Sequence, residues 1–282
     1  MVLKRENLAI VACSNGLSQN QIKSMEELQN ILREMEITIQ ISSYLYQDKG
    51  VASGTGKERA GQLMEYFMDC SVKTICDVSG GDLANEILPF LYYEVIKSSE
   101  AVFWGYSDLT AVINAIYART GKSSVLYQIR NMVRSDGRIQ KANFARAFRE
   151  EGDELFQFDY EYVQGTSMQG IVVGGNIRCF LKLAGTKYWP DMKNKILLLE
   201  SFSGDEAKIT TALCQLQQMG VFEEVAGVLL GTFTELEESR GEIVEINLAK
   251  RYVGDTVQMA KTRQIGHGAD SKAIVIGEML VL

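Results

Sequence analysis

Ser107 lies where a protein could hold a nucleophile, between an apolar strand-like run and a helix-like run. A sharp strand-to-helix turn of this kind can expose a serine oxygen, and the small residue Gly105 would tolerate the strained backbone. The second glycine of the usual G-x-S-x-G pattern is missing, because position 109 is Leu. Taken alone, the segment therefore favours the simpler interpretation, in which Ser107 or Asp108 caps the following helix.

Two further residues could complete an acyl-transfer site with Ser107. Glu200 ends an apolar strand-like run and could orient a histidine, although a solvated acid is the more common role for such a residue in isolation. His267 is the only histidine and lies between Gly266 and Gly268 in a predicted loop, where structural and functional roles are equally open. In a joint site His267 would remove the Ser107 proton, and Glu200 would hold the imidazole tautomer.

Acyl transfer through Ser107 would also need donors for the oxyanion that forms on the substrate. The backbone N–H groups of Asp108, directly after the nucleophile, and of Gly81 are the candidates for this role. Gly81 belongs to a glycine-rich segment that follows a strand-like run and lets the backbone approach a ligand closely. We therefore expect Gly80 and Asp82 to line the same site.

The elements that would position these residues alternate in the first half of the chain. Such alternation predicts a parallel α/β sheet, in which ligands bind beyond the carboxyl ends of the strands. The glycine-rich segment and Ser107 would then share one edge of the sheet. Apolar runs predict strands at residues 8–13, 37–42, 72–79 and 101–107, and helical spacing predicts helices at 21–36, 57–70, 83–99 and 108–120.

A second domain is predicted after a change of pattern. Residues 131–165 are charged and mixed in period, so the regular alternation stops there. We predict an N-terminal parallel-sheet domain over 1–140, a junction over 141–165, and a smaller, β-rich α/β domain over 166–282. The second domain is predicted to contain strand 170–176, helix 177–185, strand 195–201, helix 205–220, strand 225–233, a solvated loop at 235–240 and strand 272–282.

The bulk composition excludes several classes of protein. The chain has 282 residues and a net charge of −7, with no stripe of basic residues and interleaved aromatics, which argues against a nucleic-acid polymer as partner. No apolar run approaches the ~18–20 residues that span a bilayer, so no membrane partner is expected. The apolar run at 8–13 is shorter than a signal-peptide core, and we expect a cytoplasmic location.

The five cysteines are expected to be structural. They are scattered and odd in number, and none forms a C-x-x-C pair, so neither a disulfide framework nor a zinc site is indicated. Three of them lie in apolar runs, where a free cysteine behaves as a small hydrophobe.

Six groups of residues, in the same order along the chain, resemble a known family. Together they are similar to the LD-carboxypeptidases, serine peptidases that include the microcin C self-immunity proteins, and the match extends over nearly the whole chain. The groups are KERA at 57–60, SGG at 79–81 with Asn85, Leu88, Pro89, Tyr92 and Tyr93 after it, GYSDLTA at 105–111, GGN at 174–176 with LAGTKY at 183–188 and Pro190 and Asp191, KILLLE at 195–200, and GHG at 266–268.

This resemblance implies a triad of Ser107, Glu200 and His267, no metal or other cofactor, and a homodimer. It implies two α/β domains, the first similar to class I amidotransferases and flavodoxins. It also implies cleavage of an amide next to a free carboxyl end. Family substrates are murein tetrapeptides, cut between an L-centre and D-alanine, or the peptidyl-nucleotide amide of processed microcin C. Asn176, within the GGN segment, becomes a further candidate for substrate binding.

Several neighbours of these motifs depart from the family pattern. Ser79 stands where murein-type members often have Arg, residues 127–130 replace a YGP- or HGP-like segment, and Ser201 stands where a second acid is frequent. We expect such positions to line the substrate, so a small peptide and a peptidyl-nucleotide both remain open, with the segment around Asn85 favouring the second. Trp189 could stack on a base or serve the core. The non-enzyme alternative is a small-molecule binding protein on the same fold.

Overall fold

A computed structural model describes residues 7–241 and 243–282, and the first six residues of the predicted N-terminal domain lie outside this part of the chain. The described residues form twelve strands and ten α-helices. The strands are β1 (Asn7–Val11), β2 (Thr38–Ile41), β3 (Val72–Asp77), β4 (Val102–Gly105), β5 (Ser124–Leu126), β6 (Glu161–Gln164), β7 (Gln169–Asn176), β8 (Lys195–Ser201), β9 (Gly227–Phe233), β10 (Gln258–Lys261), β11 (Ile274–Ile276) and β12 (Met279–Val281).

The helices follow the strands in the alternation that the sequence predicts. Short 3-10 helices precede or join several of them, at Gln19–Gln21, Ala84–Phe90, Ser107–Leu109 and Ile129–Val133. The α-helices are α1 (Ile22–Glu34), α2 (Gly56–Met68), α3 (Tyr93–Ser98), α4 (Thr110–Thr120), α5 (Gly137–Phe148), α6 (Ile177–Leu181), α7 (Glu206–Gln218), α8 (Val221–Glu224), α9 (Thr234–Arg240) and α10 (Val244–Val253).

Two six-stranded sheets organise the chain. The first has the order β11-β5-β4-β3-β1-β2, with β1 to β5 parallel and β11 antiparallel to β5. The second has the order β12-β7-β8-β9-β10-β6, in which β7 to β10 are parallel and the two outer strands are antiparallel. Helices cover the buried apolar faces, as parallel strands require. The predicted α/β fold class with two sheet-containing domains is confirmed, while the residue boundaries of the domains stay a prediction.

Helix α4 joins the two sheets and is buried along most of its length. Its residues Thr110 to Ile116 are all buried, because β4 and β5 lie on one side and β7 on the other. The side chain of Asn114 donates to the Gly174 carbonyl and accepts from the Gly174 N–H, both at 2.8 Å. This paired contact docks the helix that follows Ser107 directly on the second sheet.

The predicted loop at 235–240 is wrong, since these residues form helix α9. The acidic residues of this stretch have tertiary partners that composition does not reveal. Glu235 accepts the Gly204 N–H at 2.8 Å, and Glu237 pairs with Lys261 at 2.6 Å while also accepting the N–H of its near neighbour Phe233 at 2.9 Å. The carboxylates near the helix start are thereby stabilised by backbone donors, so the segment does not remain a solvated loop.

The predicted strand 272–282 and helix 83–99 are each divided in the structure. Gly277, with φ +95°, separates β11 from β12, which join different sheets. Pro89 lies in the 3-10 helix, and α3 begins only at Tyr93. Proline removes a hydrogen bond from a helix interior, which explains the break. Within the described part of the chain, no helix is long and apolar enough to cross a membrane.

Candidate active site

Ser107 occupies a strained turn at the carboxyl end of β4. Its φ is +54°, a left-handed conformation that costs a non-glycine residue roughly 1–3 kcal/mol. Gly105 makes the turn possible, because a Cβ at this position would lie 2.7 Å from the Cβ of Leu109. The side chain of Leu109 therefore folds back into the space that Gly105 leaves open. The turn therefore forms with Leu at position 109, where the G-x-S-x-G pattern has its second glycine.

The helix-cap interpretation of this segment is wrong. Neither Ser107 nor Asp108 forms a side-chain cap on the 3-10 helix or on α4. The Asp108 carboxylate, fully buried, instead accepts the Ser14 hydroxyl at 2.6 Å and the Ala84 N–H at 2.9 Å, and it pairs with Lys182. Asp108 thus ties the turn to the end of β1, to the glycine-rich segment and to helix α6.

The N–H of Asp108 remains a candidate oxyanion donor. Asp108 is the second residue of the 3-10 helix, and the first N–H groups of a helix have no intrahelical acceptor. The N–H groups at a helix start also carry partial positive charge, which suits a developing oxyanion. The position of this N–H is set by the buried carboxylate of the same residue.

Glu200 is fully buried near the carboxyl end of β8. The pairing of β8 with β9 shifts register here, from Leu199 opposite Leu230 to Ser201 opposite Phe233. The bulge leaves Glu200 unpaired with β9, which re-aims its side chain. Its Oε2 lies 2.7 Å from Nδ1 of the predicted base, and its Oε1 has no hydrogen-bond partner among the described residues.

The loop that carries His267 is fixed against β9. Thr232 donates its N–H to the Ile265 carbonyl at 2.8 Å. Gly266 has φ +149°, and a Cβ there would lie 1.8 Å from Oγ1 of Thr232. Ser271 holds the other side of the loop through a hydrogen bond from its hydroxyl to the Gly266 carbonyl. Glycine is therefore required directly before His267.

Two aromatic rings pack against the imidazole of His267. The Tyr106 ring centroid lies 4.5 Å from that of His267, and the Phe202 centroid lies 4.9 Å from it. Because Nδ1 is bonded to Glu200, the neutral ring carries its proton on Nδ1 and a lone pair on Nε2. Nε2 is buried and has no hydrogen-bond partner in the described part of the chain.

Of the contacts expected among the three predicted catalytic residues, the structure shows the one between Glu200 and His267 but not the one between Ser107 and His267. Glu200 and His267 are hydrogen-bonded. Ser107 directly follows Tyr106, whose ring contacts His267. No hydrogen bond joins the Ser107 hydroxyl to Nε2, and catalytic contacts of this kind are often long before substrate binds.

The glycine-rich segment lies beside this turn and is held by Asn15. Gly81 has φ +124°, and a Cβ there would lie 2.2 Å from the side chain of Asn15. Asn15 donates its N–H to the Gly80 carbonyl at 3.2 Å and accepts the Asp82 N–H at 3.1 Å. The Asp82 carboxylate forms an ion pair with Arg178 across the boundary between the sheets. The lining role expected for Gly80 and Gly81 stays a prediction, whereas the carboxylate of Asp82 already has a protein partner.

Asn176 has a structural contact that the sequence did not predict. Its side-chain oxygen accepts the Cys179 N–H at 3.3 Å and so caps α6. Its N–H donates to Oγ1 of Thr110 at 3.1 Å, and its register partner on β8 is Glu200. Asn176 is therefore buried beside Glu200 with its side-chain oxygen engaged by the helix, and its role in substrate binding stays a prediction.

Arg59 and Tyr106 lie in two of the family-like motifs, but sequence reasoning assigned neither of them a role. The guanidinium of Arg59 is buried, donates to the carbonyls of Cys13 and Ser14, and pairs with Glu86. The sequence signal for the burial of Arg59 was its place among the apolar positions of the predicted helix 57–70. Burial, followed by the negative charge of the predicted acid, raises the pKa of the Tyr106 hydroxyl well above its ordinary value.

A cavity of about 690 Å³ adjoins the site between α6 and α7. Its wall includes Ser201, the residue after Glu200, together with Arg178, Lys182 and Ile209. The volume is within the range of small-molecule sites. Trp189, which the sequence left open as a stacking residue, packs on Phe180 with ring centroids 4.5 Å apart and so serves the core.

Comparison with known families gives the class of protein. A model of the LD-carboxypeptidase N-terminal domain matches residues 8–127, and a model of the C-terminal domain matches residues 169–282. These matches cover most of the chain, which belongs to the LD-carboxypeptidase family. The chain is therefore an enzyme, a serine-type carboxypeptidase, and the alternative of a non-catalytic binding protein is not supported.

Individual relatives and structures agree with this assignment. The chain is 26% identical over 267 residues to a probable murein peptide carboxypeptidase of Bacillus subtilis, covering 90% of this chain and 82% of the relative. It is 26% identical over 211 residues to the microcin C7 self-immunity protein MccF of Escherichia coli, covering 64% and 61%.

Solved structures share the fold over almost the whole chain. The structure of MccF in complex with glutamyl sulfamoyl guanosine matches with a TM-score of 0.85 and 17% identity, covering 99% of this chain and 93% of the other. The muramoyltetrapeptide carboxypeptidase of Oxalobacter formigenes matches with a TM-score of 0.81 and 20% identity, covering 98% and 94%. Both branches of the family thus have the same architecture as this chain.

Proposed function

We propose that this enzyme hydrolyses an amide bond next to a free carboxyl end, with Ser107 as nucleophile, His267 as general base and Glu200 as the residue that orients the imidazole. The observation that carries this proposal is the hydrogen bond from His267 Nδ1 to the buried Glu200, which leaves the lone pair on Nε2. The strained backbone of Ser107 supports it, because strain of this kind concentrates at catalytic turns.

The proposed reaction begins with proton transfer from the Ser107 hydroxyl to Nε2 of His267 as Oγ attacks the substrate carbonyl. The negative charge on the carbonyl oxygen is stabilised by the N–H groups of Asp108 and Gly81. The imidazolium that forms is stabilised by the carboxylate of Glu200, 2.7 Å from Nδ1.

The intermediate then loses the amine. The imidazolium of His267 donates its Nε2 proton to the leaving nitrogen as the C–N bond breaks, which leaves an acyl ester on Ser107. Water attacks this ester and gives a proton to Nε2, and the imidazolium returns that proton to Ser107 Oγ as the ester C–O bond breaks and the acid product leaves. Each proton taken by the imidazole is returned within the cycle, so no co-reactant is needed.

The first substrate class that we propose is the murein tetrapeptide. The name of the Bacillus subtilis relative and the fold shared with the muramoyltetrapeptide carboxypeptidase support this choice. A second class, a peptidyl- or aminoacyl-nucleotide amide, is supported by the similarity to MccF, whose structures contain glutamyl sulfamoyl guanosine and aspartyl sulfamoyl adenosine.

The test is to incubate the purified enzyme with a murein tetrapeptide and, separately, with a peptidyl-adenylate amide analogue. We expect release of the terminal D-alanine from the first or of the nucleotide from the second, measured by mass spectrometry. Ser107→Ala is expected to lose nearly all turnover while still binding the substrate, since the nucleophile acts chiefly in the transition state.

A matched control for this variant is Ser239→Ala, an exposed serine of α9 whose hydroxyl donates to the Leu236 carbonyl, and this variant should retain wild-type turnover. Turnover by Ser107→Ala equal to that of wild type would contradict the assigned nucleophile. The homodimer that the family resemblance implies and the cytoplasmic location expected from the sequence stay predictions, and light scattering of the purified protein tests the first.

A further inference from the structure

Several cationic side chains surround the carboxyl edge of the first sheet, and most of them have an anionic partner. Arg59, Arg178 and Lys182 each form an ion pair with a carboxylate. Arg134 donates to the carbonyl of His267 at 3.1 Å. These four cations already have acceptors and hold loops together, so each would have to share its charge between that partner and a substrate anion.

Arg130 differs from these residues. Its side chain forms no hydrogen bond and no ion pair within the described part of the chain, and its Nε is completely enclosed. The residue is only partly exposed, and its Nη atoms keep contact with solvent. Burying a guanidinium without an acceptor is costly, so such a group calls for a ligand that the protein itself does not provide.

The position of Arg130 follows from the order of the strands. It belongs to the 3-10 helix Ile129–Val133, which begins directly after β5, and Tyr127 in the connection donates its N–H to the Gly105 carbonyl at 2.9 Å. Burial lowers the pKa of Arg130, and the negative charge of Asp77, at the end of β3, opposes this. Gly105 is two residues before Ser107, and Arg134, directly after the 3-10 helix, donates to the His267 carbonyl at 3.1 Å, so Arg130 belongs to a segment held against both the serine turn and the histidine loop.

No free hydrogen-bond acceptor for Arg130 is found on Asp77, the carboxylate whose charge acts on it. Asp77 has its oxygens occupied by the Cys13 N–H at 2.7 Å and by the N–H and hydroxyl of Ser79 at 2.7 and 2.6 Å. The hydroxyl of Tyr106 is buried and also has no hydrogen-bond partner. An anionic oxygen that reaches the Arg130 guanidinium would supply the acceptor that the described residues do not.

We infer that Arg130 binds the free carboxylate of the substrate's leaving group and so determines the preference of this enzyme for the last residue of a peptide. The inference rests on the proposed amide hydrolysis and deepens it. A guanidinium fork matches the two oxygens of a carboxylate, and a charge-assisted pair is about twice as strong as a neutral hydrogen bond. Recognition at this point requires a chain end, because an internal residue has no second oxygen to offer.

The test compares a murein tetrapeptide that ends in a free carboxylate with the same peptide ending in a carboxamide. Wild type is expected to prefer the free acid about 100-fold in kcat/KM, because the carboxamide leaves Arg130 unpaired. Arg130→Met is expected to lose about 100-fold on the free acid and less than threefold on the carboxamide. The kcat/KM of Arg130→Lys on the free acid should lie between those of wild type and Arg130→Met, because lysine keeps the charge but lacks the two-pronged guanidinium.

The carboxamide rate of each variant serves as an internal control for folding, because it depends on the same catalytic groups. Arg138→Met, an exposed arginine on α5, is the matched control and should keep the wild-type preference. A preference for the free acid that Arg130→Met leaves unchanged would overturn the inference while hydrolysis through Ser107 still stands.

A binding measurement separates failure of the inference from failure of the proposed function. In Ser107→Ala protein, calorimetry should show the tetrapeptide binding about 100-fold tighter than its carboxamide, and adding Arg130→Met should abolish the difference. This result would support the inference even if no peptide were hydrolysed. Loss of adenosine monophosphate binding in Arg130→Met, with peptide binding unchanged, would overturn the carboxylate assignment in favour of a phosphate.

Discussion

The Nδ1 atom of His267 lies 2.7 Å from Oε2 of Glu200, although the two residues are 67 positions apart and come from different elements. Strand β9 lies between those elements and makes the contact possible. Its bulge frees Glu200 from regular pairing, and its backbone holds the 262–265 segment through hydrogen bonds from Thr232 and to Leu230. The contact also sets the imidazole tautomer, which decides which ring nitrogen can accept a proton.

Glu200→Gln is expected to lower kcat roughly 10³–10⁴-fold with little change in KM, because an amide can stabilise the wrong tautomer and cannot stabilise the imidazolium. The melting temperature should not fall, because the substitution removes a buried charge. Steady-state kinetics and calorimetry measure both effects. Glu224→Gln, an exposed residue on α8, is the control, and a kcat for Glu200→Gln within threefold of it would contradict the orienting role.

Gly266→Ala should displace the histidine loop. The added Cβ would meet Thr232, and φ +149° is unfavourable for alanine, so we expect a loss of about 1–3 kcal/mol in the free energy of unfolding. Activity should fall more than 10-fold, because the imidazole moves with the loop. Gly61→Ala, in α2 with open space around the new Cβ, should instead stabilise by about 0.5–1 kcal/mol. Equal effects of the two substitutions on urea unfolding would refute this account.

Phe202→Ala separates activity from stability. The ring packs on the imidazole of His267, yet the residue is 56% exposed, so its removal should change the melting temperature little. A less restrained imidazole should lower kcat by roughly 10-fold, as small misplacements in an active site do. Phe90→Ala, at 43% exposure at the end of the 3-10 helix Ala84–Phe90, is the matched control for both measurements. An unchanged kcat would show that the ring does not position the base.

Lys261→Met should produce a stability loss that depends on pH. The ammonium group of Lys261 is buried, donates to Glu237 Oε1 at 2.6 Å and lies 2.8 Å from Glu245 Oε1. Removing it leaves buried carboxylates without a counter-charge, for an expected cost of about 3–5 kcal/mol at neutral pH. Urea unfolding of the variant and wild type at pH 5 and pH 7.5 measures the difference.

The direction of the pH effect follows from the pKa of Glu245. Burial raises that pKa above its ordinary value, and Lys261 lowers it, so the substitution raises it further. The native variant then binds a proton that the unfolded chain does not, and its stability is lost as pH rises through the raised pKa. The difference in the free energy of unfolding between wild type and Lys261→Met should therefore be smaller at pH 5 than at pH 7.5. Lys193→Met, at an exposed position, should show no such gap, and an equal gap at both pH values would refute the account.

Local patterns predicted more of the fold than of the site. The apolar runs of β1, β3 and β8 and the helical spacing of α1 and α7 are properties of short segments, and each lies within a few residues of its predicted position. Predictions failed where distant partners stabilise a segment. Residues 235–240 were predicted as a solvated loop but form α9, because Glu235 bonds to Gly204 and Glu237 bonds to Lys261.

The sequence by itself determined the α/β class and the order of the motifs, because these depend on residue type and local spacing, and the resemblance of those motifs to a family pointed to the three residues proposed for catalysis. Only the tertiary structure decided that Ser107 is not a cap, that Asp108 bonds to Ser14, and that Arg130 is left without a partner. The reason is physical: a polar side chain is paired or unpaired according to which groups the packed core brings within about 3 Å, and that is a property of the assembled sheets.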